Sequence, residues 1–495
     1  MQHASGRGEQ VSGAGPLRAA GRVSRRAAVA AMGAAAVAYA VLGPRGAREA
    51  PPGRVVLDYW EKWTGQEGDA MRRVVDRFNR SQDRIYVRYF SLSAIEQKSM
   101  VSIAGGDPPD VLGLWNFSLP AFAESGALLP LDALDEAYRA ELAPRLASYG
   151  GESGWPLRPE RYARPALDLL LYKGTPWGAV STCSSMALYY SRSAFAGAGL
   201  DPDRPPRTIA ELDQTADRLT SVGPRGELLR AGFVHREPGW WDWIWGYFFG
   251  GDLLDAAATR ATAGAPENIR AYEWLQTYPE RIGASRLLAF QSGFGNYNSV
   301  QQALLGGKVA MALHGPFLAN VVQTFRPDFD YGAAPFPVEE SLYDPERPIA
   351  LLEADVLCVP RGCKRPREAL EFIAFTQRRE CLEALARDHA KPSPLADVSP
   401  GFVASHPNRW IAMHNGLVRS ARAFPKPPTR VWSQYEAEFI TKMGAMWDLR
   451  VDAATALREI QARAQGFIDL AAERSRRRYG DRALTDRIPQ IGEEP

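Results

Sequence analysis

From residue 54 onward, short apolar runs that fit strands alternate with stripes of period 3.6 that fit helices. Residues 54–59 form the first run. Met71, Val74, Val75 and Phe78 then recur at i, i+3, i+4 and i+7, one face of an amphipathic helix, and residues 85–90 form a second strand. Strand, loop, helix, strand is a βαβ opening and predicts a parallel sheet, in which ligands gather outside the carboxyl ends of the strands. The loop 60–65 lies at one such end, and Trp115-Asn116-Phe117 lies at another. Residues 138–173 are rich in Pro and Arg and read as a surface insertion.

Residues 172–219 organise the rest. Gly174, Pro176 and Gly178 break regular structure, residues 186–190 are β-prone, and a short helical piece ends near Gly199. Pro202, Pro205 and Pro206 form a turn before a second helix. Thr208 followed by Glu211 is a capping box, and Ile209, Leu212, Ala216 and Leu219 give that helix one apolar face. This order reads as a connector that leaves one body and starts another. Further on, Trp241, Trp245 and Phe248 would share one face of a helix over 240–248, and Trp240, Trp243 and Tyr247 another. Glu353-Ala354-Asp355 enters a strand ending at Val359-Pro360. Helices follow with Ala369, Phe372, Ile373 and Thr376, then from Trp432 with Tyr435, Phe439, Met443 and Trp447, and last over about 452–470.

Composition adds an export argument. The chain has 495 residues, enough for two or three lobes, with an ordinary 45% hydrophobic and 23% charged content. Seven arginines against two glutamates place +5 in residues 1–50, so the total of +2 leaves the remainder near −3. A mildly acidic body offers nothing to a nucleic acid. Ser24-Arg25-Arg26 precedes an uncharged Ala- and Val-rich run from 27 to 43, an export signal of twin-arginine type that lacks the usual following aromatic residue. The run is short of the roughly 20 residues a spanning helix needs, and no clean small-x-small cleavage site follows, so a cleaved leader and an uncleaved anchor both stay open. Cys183, Cys358, Cys363 and Cys381 show no metal spacing; they read as buried thiols, with a Cys358–Cys363 bridge open outside the cytoplasm.

Several blocks, in order, carry a family resemblance. Tyr189-Tyr190-Ser191, Phe195, Ala198-Gly199-Leu200 and Pro205-Pro206-Arg207-Thr208-Ile209-Ala210-Glu211-Leu212 resemble the lobe-crossing segment of the family 1 extracellular solute-binding proteins, the sugar-binding subunits of ABC importers. Ser191 stands where the family has Asn, and Ile209 where it has Trp. The run Gly307-Lys308-Val309-Ala310-Met311 through Gly315-Pro316-Phe317, then Tyr331-Gly332-Ala333-Ala334-Pro335-Phe336-Pro337, is similar to two later blocks, with Phe317 for Trp. Ala104-Gly105 through Pro109-Asp110-Val111 and Gly126-Ala127-Leu128 resemble two earlier ones. The resemblance covers about residues 54–470.

It implies an α/β, two-lobed periplasmic-binding-protein fold of type II kind, each lobe a mostly parallel sheet flanked by helices, with three crossings. The expected division is 54–180 with 356–424 for one lobe and 181–355 with 425–480 for the other, after a disordered region and export signal at 1–53 and before a tail at 481–495. Phosphate-loop, dinucleotide, nucleophile-elbow and zinc-protease motifs are missing, and the six histidines are scattered, so neither cofactor, metal nor catalysis is expected. Sugar rings present apolar faces edged by hydroxyls, which calls for Trp planes beside carboxylates and amides. The expected ligand-binding set is Glu61, Trp63, Trp115, Asn116, Ser184, Glu237, Trp240, Trp241, His314, Phe317, Glu353 and Trp432. The reading is a monomeric extracytoplasmic protein that takes a sugar or oligosaccharide to ABC permease subunits. Its alternatives are a secreted carbohydrate-active enzyme using cleft carboxylates, or a binder of a non-sugar such as glycerol phosphate or a polyamine. Phosphate would need clustered Arg or a helix N-terminus, and a polyamine an excess of acid around aromatics.

Overall fold

The computed structural model describes residues 51–152, 154–480, 482 and 484. The export signal or anchor expected within 1–53 falls, up to residue 50, outside the described residues, as does most of the tail. Among the described residues no helix is long and apolar enough to cross a membrane.

The opening pattern folds as read. β1 (Val55–Glu61) and β2 (Ile85–Ser91) pair in parallel around the helix Gly65–Ser81, which buries Met71, Val74, Val75 and Phe78. β3 (Val111–Trp115) pairs in parallel with β1 on its other side. β4 (Leu171–Tyr172) and β5 (Thr175–Pro176) form a tight hairpin whose Lys173 and Gly174 both take positive φ, 51° and 79°, the conformation a two-residue loop needs. β6 (Ala179–Ser185) is the last strand of the first lobe before the chain crosses. Met186 alone separates it from β7 (Ala187–Ser191), which lies in the second sheet.

That sheet adds β8 (Ser221–Val222), β9 (Leu228–Phe233), β10 (Val309–His314) and β11 (Tyr331–Ala334), in the order β11-β7-β10-β9-β8. β12 (Ala350–Cys358) then returns to the first sheet, between β6 and β3, and β13 (Ala423–Phe424) pairs with its start. After β13 the chain crosses a third time, through Pro425–Pro428, into the helix Trp432–Trp447. The sheets are mixed rather than mostly parallel. Among the described strands of the second sheet only β9 and β10 pair in parallel, and β12 opposes both β3 and β6 in the first. Strands that arrive by a crossing have no helical return, and it is that return which imposes the parallel direction.

The connector behaves as its sequence dictates. Thr208 caps the helix Ile209–Leu219 by accepting from the Glu211 amide at 3.3 Å, and Ile209, Leu212, Ala216 and Leu219 are buried. The Glu211 carboxylate reaches back one residue further than a capping box requires, to the Arg207 amide at 2.7 Å. His414, from the helix Ile411–Arg419, pins the first crossing: Ser185 Oγ lies 2.9 Å from its Nδ1 and Tyr189 Oη 2.7 Å from its Nε2.

Two segments depart from expectation. Residues 240–248 form no α-helix, only turns and a 3₁₀ segment, Trp245–Phe249. Pro238, Gly239, Gly246 and Gly250 interrupt the run, and aromatic side chains lose rotamer freedom in a helix. Residues 138–173 are no surface insertion either. Leu142, Leu146, Trp155, Tyr162, Ala166, Leu169 and Leu170 are buried in the cores of the first lobe, and the guanidinium of Arg161 is buried on Glu152. The four cysteines are free thiols, and Cys363 leans on Asp110 instead of bridging to Cys358.

Candidate functional site

The first wall stands at the carboxyl ends of β1 and β3. Glu61, the last residue of β1, is fully buried and fully engaged: it accepts from Tyr59 Oη at 2.5 Å, from the Lys62 amide at 2.8 Å and from Lys62 Nζ at 3.1 Å. It fits only because residue 113 is glycine, since a Cβ there would sit 1.9 Å from a Glu61 oxygen. Beside it lies Asp355, the centre of a buried network. One of its oxygens takes Lys62 Nζ at 3.0 Å; the other takes Lys391 Nζ at 3.0 Å and Thr182 Oγ1 at 2.6 Å. Burial works against every charge here. The two lysines nevertheless hold Asp355 far below the usual carboxylate range, and the facing carboxylates keep both lysines above theirs.

This network underlies the aromatic residues of the wall. Trp63 is buried edge-on to His389 at 4.5 Å, with Lys62 and Lys391 over its ring. Trp115 keeps 36% of its surface exposed, stacked on Phe117 at 5.6 Å with Lys62 Nζ 5.2 Å from its ring centroid. Asn116 is buried and accepts from the Ala354 amide at 2.9 Å, which ties the end of β3 to β12. Ser184 is buried opposite Glu353 in the β6–β12 register. Glu353 itself meets Lys426 of the third crossing at 3.7 Å. Lys426 also pairs with Glu436 at 3.2 Å and lies 3.9 Å over the Phe117 ring.

The second wall stands at the carboxyl ends of the parallel pair β9 and β10. Trp240, after β9, is 46% exposed and packs on Tyr297 at 4.8 Å, on Trp241 at 5.6 Å and on Phe317 at 6.2 Å. His314 ends β10 and stacks under Tyr297 at 5.2 Å. Its Nδ1 accepts from the Gly315 amide, so its Nε2 carries the proton, and that N–H has no partner among the described residues. Burial pushes His314 down to about 3, so the ring is neutral. The Tyr297 hydroxyl also lacks a partner among the described residues, and burial together with the carboxylates of Glu67 and Glu237 holds it well above its ordinary range. Glu67 belongs to the first lobe and Glu237 to the second, so Tyr297 stands where the lobes face each other. Glu237 is buried and accepts from Gln302 Nε2 at 2.9 Å.

Of the expected residues, Trp115 and Glu353 on one side and Glu237, Trp240, Trp241, His314 and Phe317 on the other form the two walls. Glu61, Trp63, Asn116 and Ser184 lie beneath the first wall as its support. Trp432 is elsewhere. It is 2% exposed, edge-on to Trp243 at 5.0 Å in the core of the second lobe. Sequence reasoning missed Lys62, Asp355, Lys391, Lys426 and Tyr297. One signal was available, because Glu353 and Asp355 are two apart in a strand and so share a face. A cavity of about 610 Å³ between Lys173, Arg430 and Arg476 shares none of these residues.

Burial pushes the Glu237 carboxyl up to about 7, against the Gln302 hydrogen bond that pulls it down. A carboxyl raised on folding contributes stability that is complete below its unfolded value, near 4.5, and is lost as pH rises through 7. Glu237→Gln should therefore remove roughly 3 kcal/mol of the empty protein's stability loss between pH 4.5 and 7.5. Urea unfolding of both proteins across that range tests this, and parallel curves would refute it.

A family model described as bacterial extracellular solute-binding protein matches residues 62–380, well over half of the chain. The sn-glycerol-3-phosphate-binding periplasmic protein UgpB of Yersinia pestis bv. Antiqua is 26% identical over 196 residues, 38% of this chain and 39% of that protein. The chain thus matches about two fifths of the length of such relatives. Among solved structures, CpMnBP1 with mannotriose bound superposes with a TM-score of 0.67 at 24% identity, over 83% of this chain and 99% of that one. The sugar-binding protein MalE from Xanthomonas citri gives 0.68 at 16% identity, over 87% and 100%. These likenesses establish the two-lobed α/β fold.

Proposed function

The chain belongs to the bacterial extracellular solute-binding proteins, and from that premise we propose that it captures a carbohydrate between its lobes and delivers it to the permease subunits of an ABC transporter. The observation that carries this reading is the pair Trp115 and Trp240, exposed at strand ends of opposite lobes above buried carboxylates. An indole face takes the apolar side of a sugar ring, while Glu353, Glu237, the His314 N–H and the Tyr297 hydroxyl meet its hydroxyls. Closure of the lobes around the solute would stabilise the closed state by as much as the solute prefers it. The protein acts as a monomer outside the cytoplasmic membrane, carried there by the Arg25-Arg26 leader, and turns nothing over.

Glycerol phosphate, the solute in the name of the UgpB relatives, fits less well. A phosphate calls for clustered Arg or a helix N-terminus, and a lysine serves it only when uncommitted. Lys62, Lys391 and Lys426 each lie within 4 Å of a carboxylate already.

Thermal shift against a panel of sugars, with glycerol phosphate as control, identifies the ligand. Trp240→Ala should then weaken binding by about 1.5–3 kcal/mol, roughly ten- to a hundredfold, because a ligand-covered indole is lost. Stability should change little, since nearly half the ring is already in solvent. Unchanged affinity would remove Trp240 from the site, and reducing ends released from a bound glycoside would replace transport by catalysis.

A further inference from the structure

We infer that the carbohydrate carries a protonated amine, held by Glu237 against the rings of Trp240 and Tyr297. This rests on the carbohydrate reading and adds the charge of the solute. The first observation is how the cleft distributes its charges. Lys62 and Lys391 share Asp355, with Glu61 3.1 Å from Lys62 and Glu67 3.7 Å from Lys391, and Lys426 sits between Glu353 and Glu436. Each of these three lysines is matched, and the carboxylates beside them outnumber them. Glu237 stands outside this pairing. Among the described residues it has no cation within 4 Å, and its one side-chain partner is the neutral amide of Gln302. A buried carboxyl without a counter-ion holds its proton in the empty protein, and a cation that the described chain does not supply would let it ionise.

The second observation is the aromatic cluster beside it, whose Tyr297 hydroxyl feels the Glu237 carboxylate. The Trp240, Tyr297 and Phe317 rings lie within 6.2 Å of one another between centroids, with neutral His314 beneath. Aromatic faces attract an ammonium and do nothing for an anion. The His314 Nε2 donor and the Tyr297 hydroxyl, both buried and without partners among the described residues, remain for the hydroxyls of the same sugar. An ammonium on that sugar satisfies Glu237 and the rings together. A neutral hydroxyl donates a hydrogen bond but brings no charge, and a phosphate meets the carboxylate with like charge.

The test is calorimetric titration at pH 7 with oligosaccharides that carry 2-amino, 2-acetamido or 2-hydroxyl groups on the same gluco and galacto backbones. Spermidine and sn-glycerol 3-phosphate are the controls. The amine-bearing forms should bind about ten- to a hundredfold more tightly than their acetamido and hydroxyl counterparts, the range of a charge-assisted hydrogen bond. Glu237→Gln, which keeps a partner for Gln302, should erase that preference by weakening the amine-bearing forms far more than the neutral ones. Trp240→Ala should weaken all three classes while melting close to wild type, which shows that the ring acts in a folded site. Equal or tighter binding of the neutral forms, or a preference that survives Glu237→Gln, overturns the inference and leaves the carbohydrate reading standing. If only spermidine or glycerol phosphate binds, or nothing does, both fall.

Discussion

Asp355→Ala is expected to lower the stability of the folded protein by about 3–5 kcal/mol, the scale for removing one partner of a buried charge cluster. Two ammonium groups lean on that carboxylate at 3.0 Å each, and the side chains of Lys62 and Lys391 are 5% and 7% exposed. Without Asp355, Lys62 retains Glu61, whose other oxygen is occupied by Tyr59, and Lys391 retains the more distant Glu67 at 3.7 Å. One buried cation is left short of a counter-charge, and Thr182 loses its acceptor. The pH dependence has the opposite sign to that of Glu237. A carboxyl depressed on folding contributes stability above its unfolded value, near 4, and loses it as pH falls below. Urea unfolding of wild type and variant at pH 7 and pH 3 should therefore show a gap that narrows in acid. Restoring neutrality with Lys391→Met in the Asp355→Ala background, which leaves Lys62 paired with Glu61, should recover part of the loss, because a buried ion pair and an apolar replacement are often close in stability. A loss below about 1 kcal/mol for Asp355→Ala would mean that the lysines find water, and that the network is not the floor of the site.

Trp432→Ala is expected to cost a similar 3–5 kcal/mol, by a different mechanism. The indole is packed between Trp243 at 5.0 Å and Tyr435 at 5.8 Å, inside a cluster that also holds Phe439, Met443 and Trp447. Its N–H has no partner among the described residues, so the loss is one of apolar area and ring contacts plus the cavity left behind. Solute affinity, measured well below the variant's melting temperature, should stay within about twofold of wild type, a few tenths of a kcal/mol. A variant that melts normally but binds weakly would place this ring in the cleft after all. Guanidinium unfolding and calorimetry on one preparation separate the two results.

Trp432 also marks where reading the chain ran out. Its helical spacing with Tyr435, Phe439, Met443 and Trp447 was visible, and that stripe is a core stripe. Expecting the first ring of the stripe to turn toward a ligand set one position against its own periodicity, and periodicity prevailed. The stripe that the spacing gave Trp240, with Trp243 and Tyr247, does not form, because no α-helix runs through it. Trp240 follows Pro238-Gly239 beyond a strand, packs on Tyr297 and Phe317 along one side, and keeps 46% of its surface exposed. The misread helix over 240–248 has a related cause, since closely spaced tryptophans imitate a helical face although the glycines among them break one.

By itself the sequence determined what depends on neighbours a few residues away. The βαβ opening, the Thr208 cap, the apolar faces of the helices and the strand ends where solutes gather are all of this kind, because period, capping and turn chemistry act within one or two turns of chain. Only the tertiary structure decided the charges. Lys62 and Lys391, 329 positions apart, meet on Asp355, and Lys426 meets Glu353 across 73. No local rule pairs them, since what selects the pairing is the desolvation of buried ions that chain crossings bring together. The same holds for Glu237, whose isolation is a fact about which cations fold elsewhere.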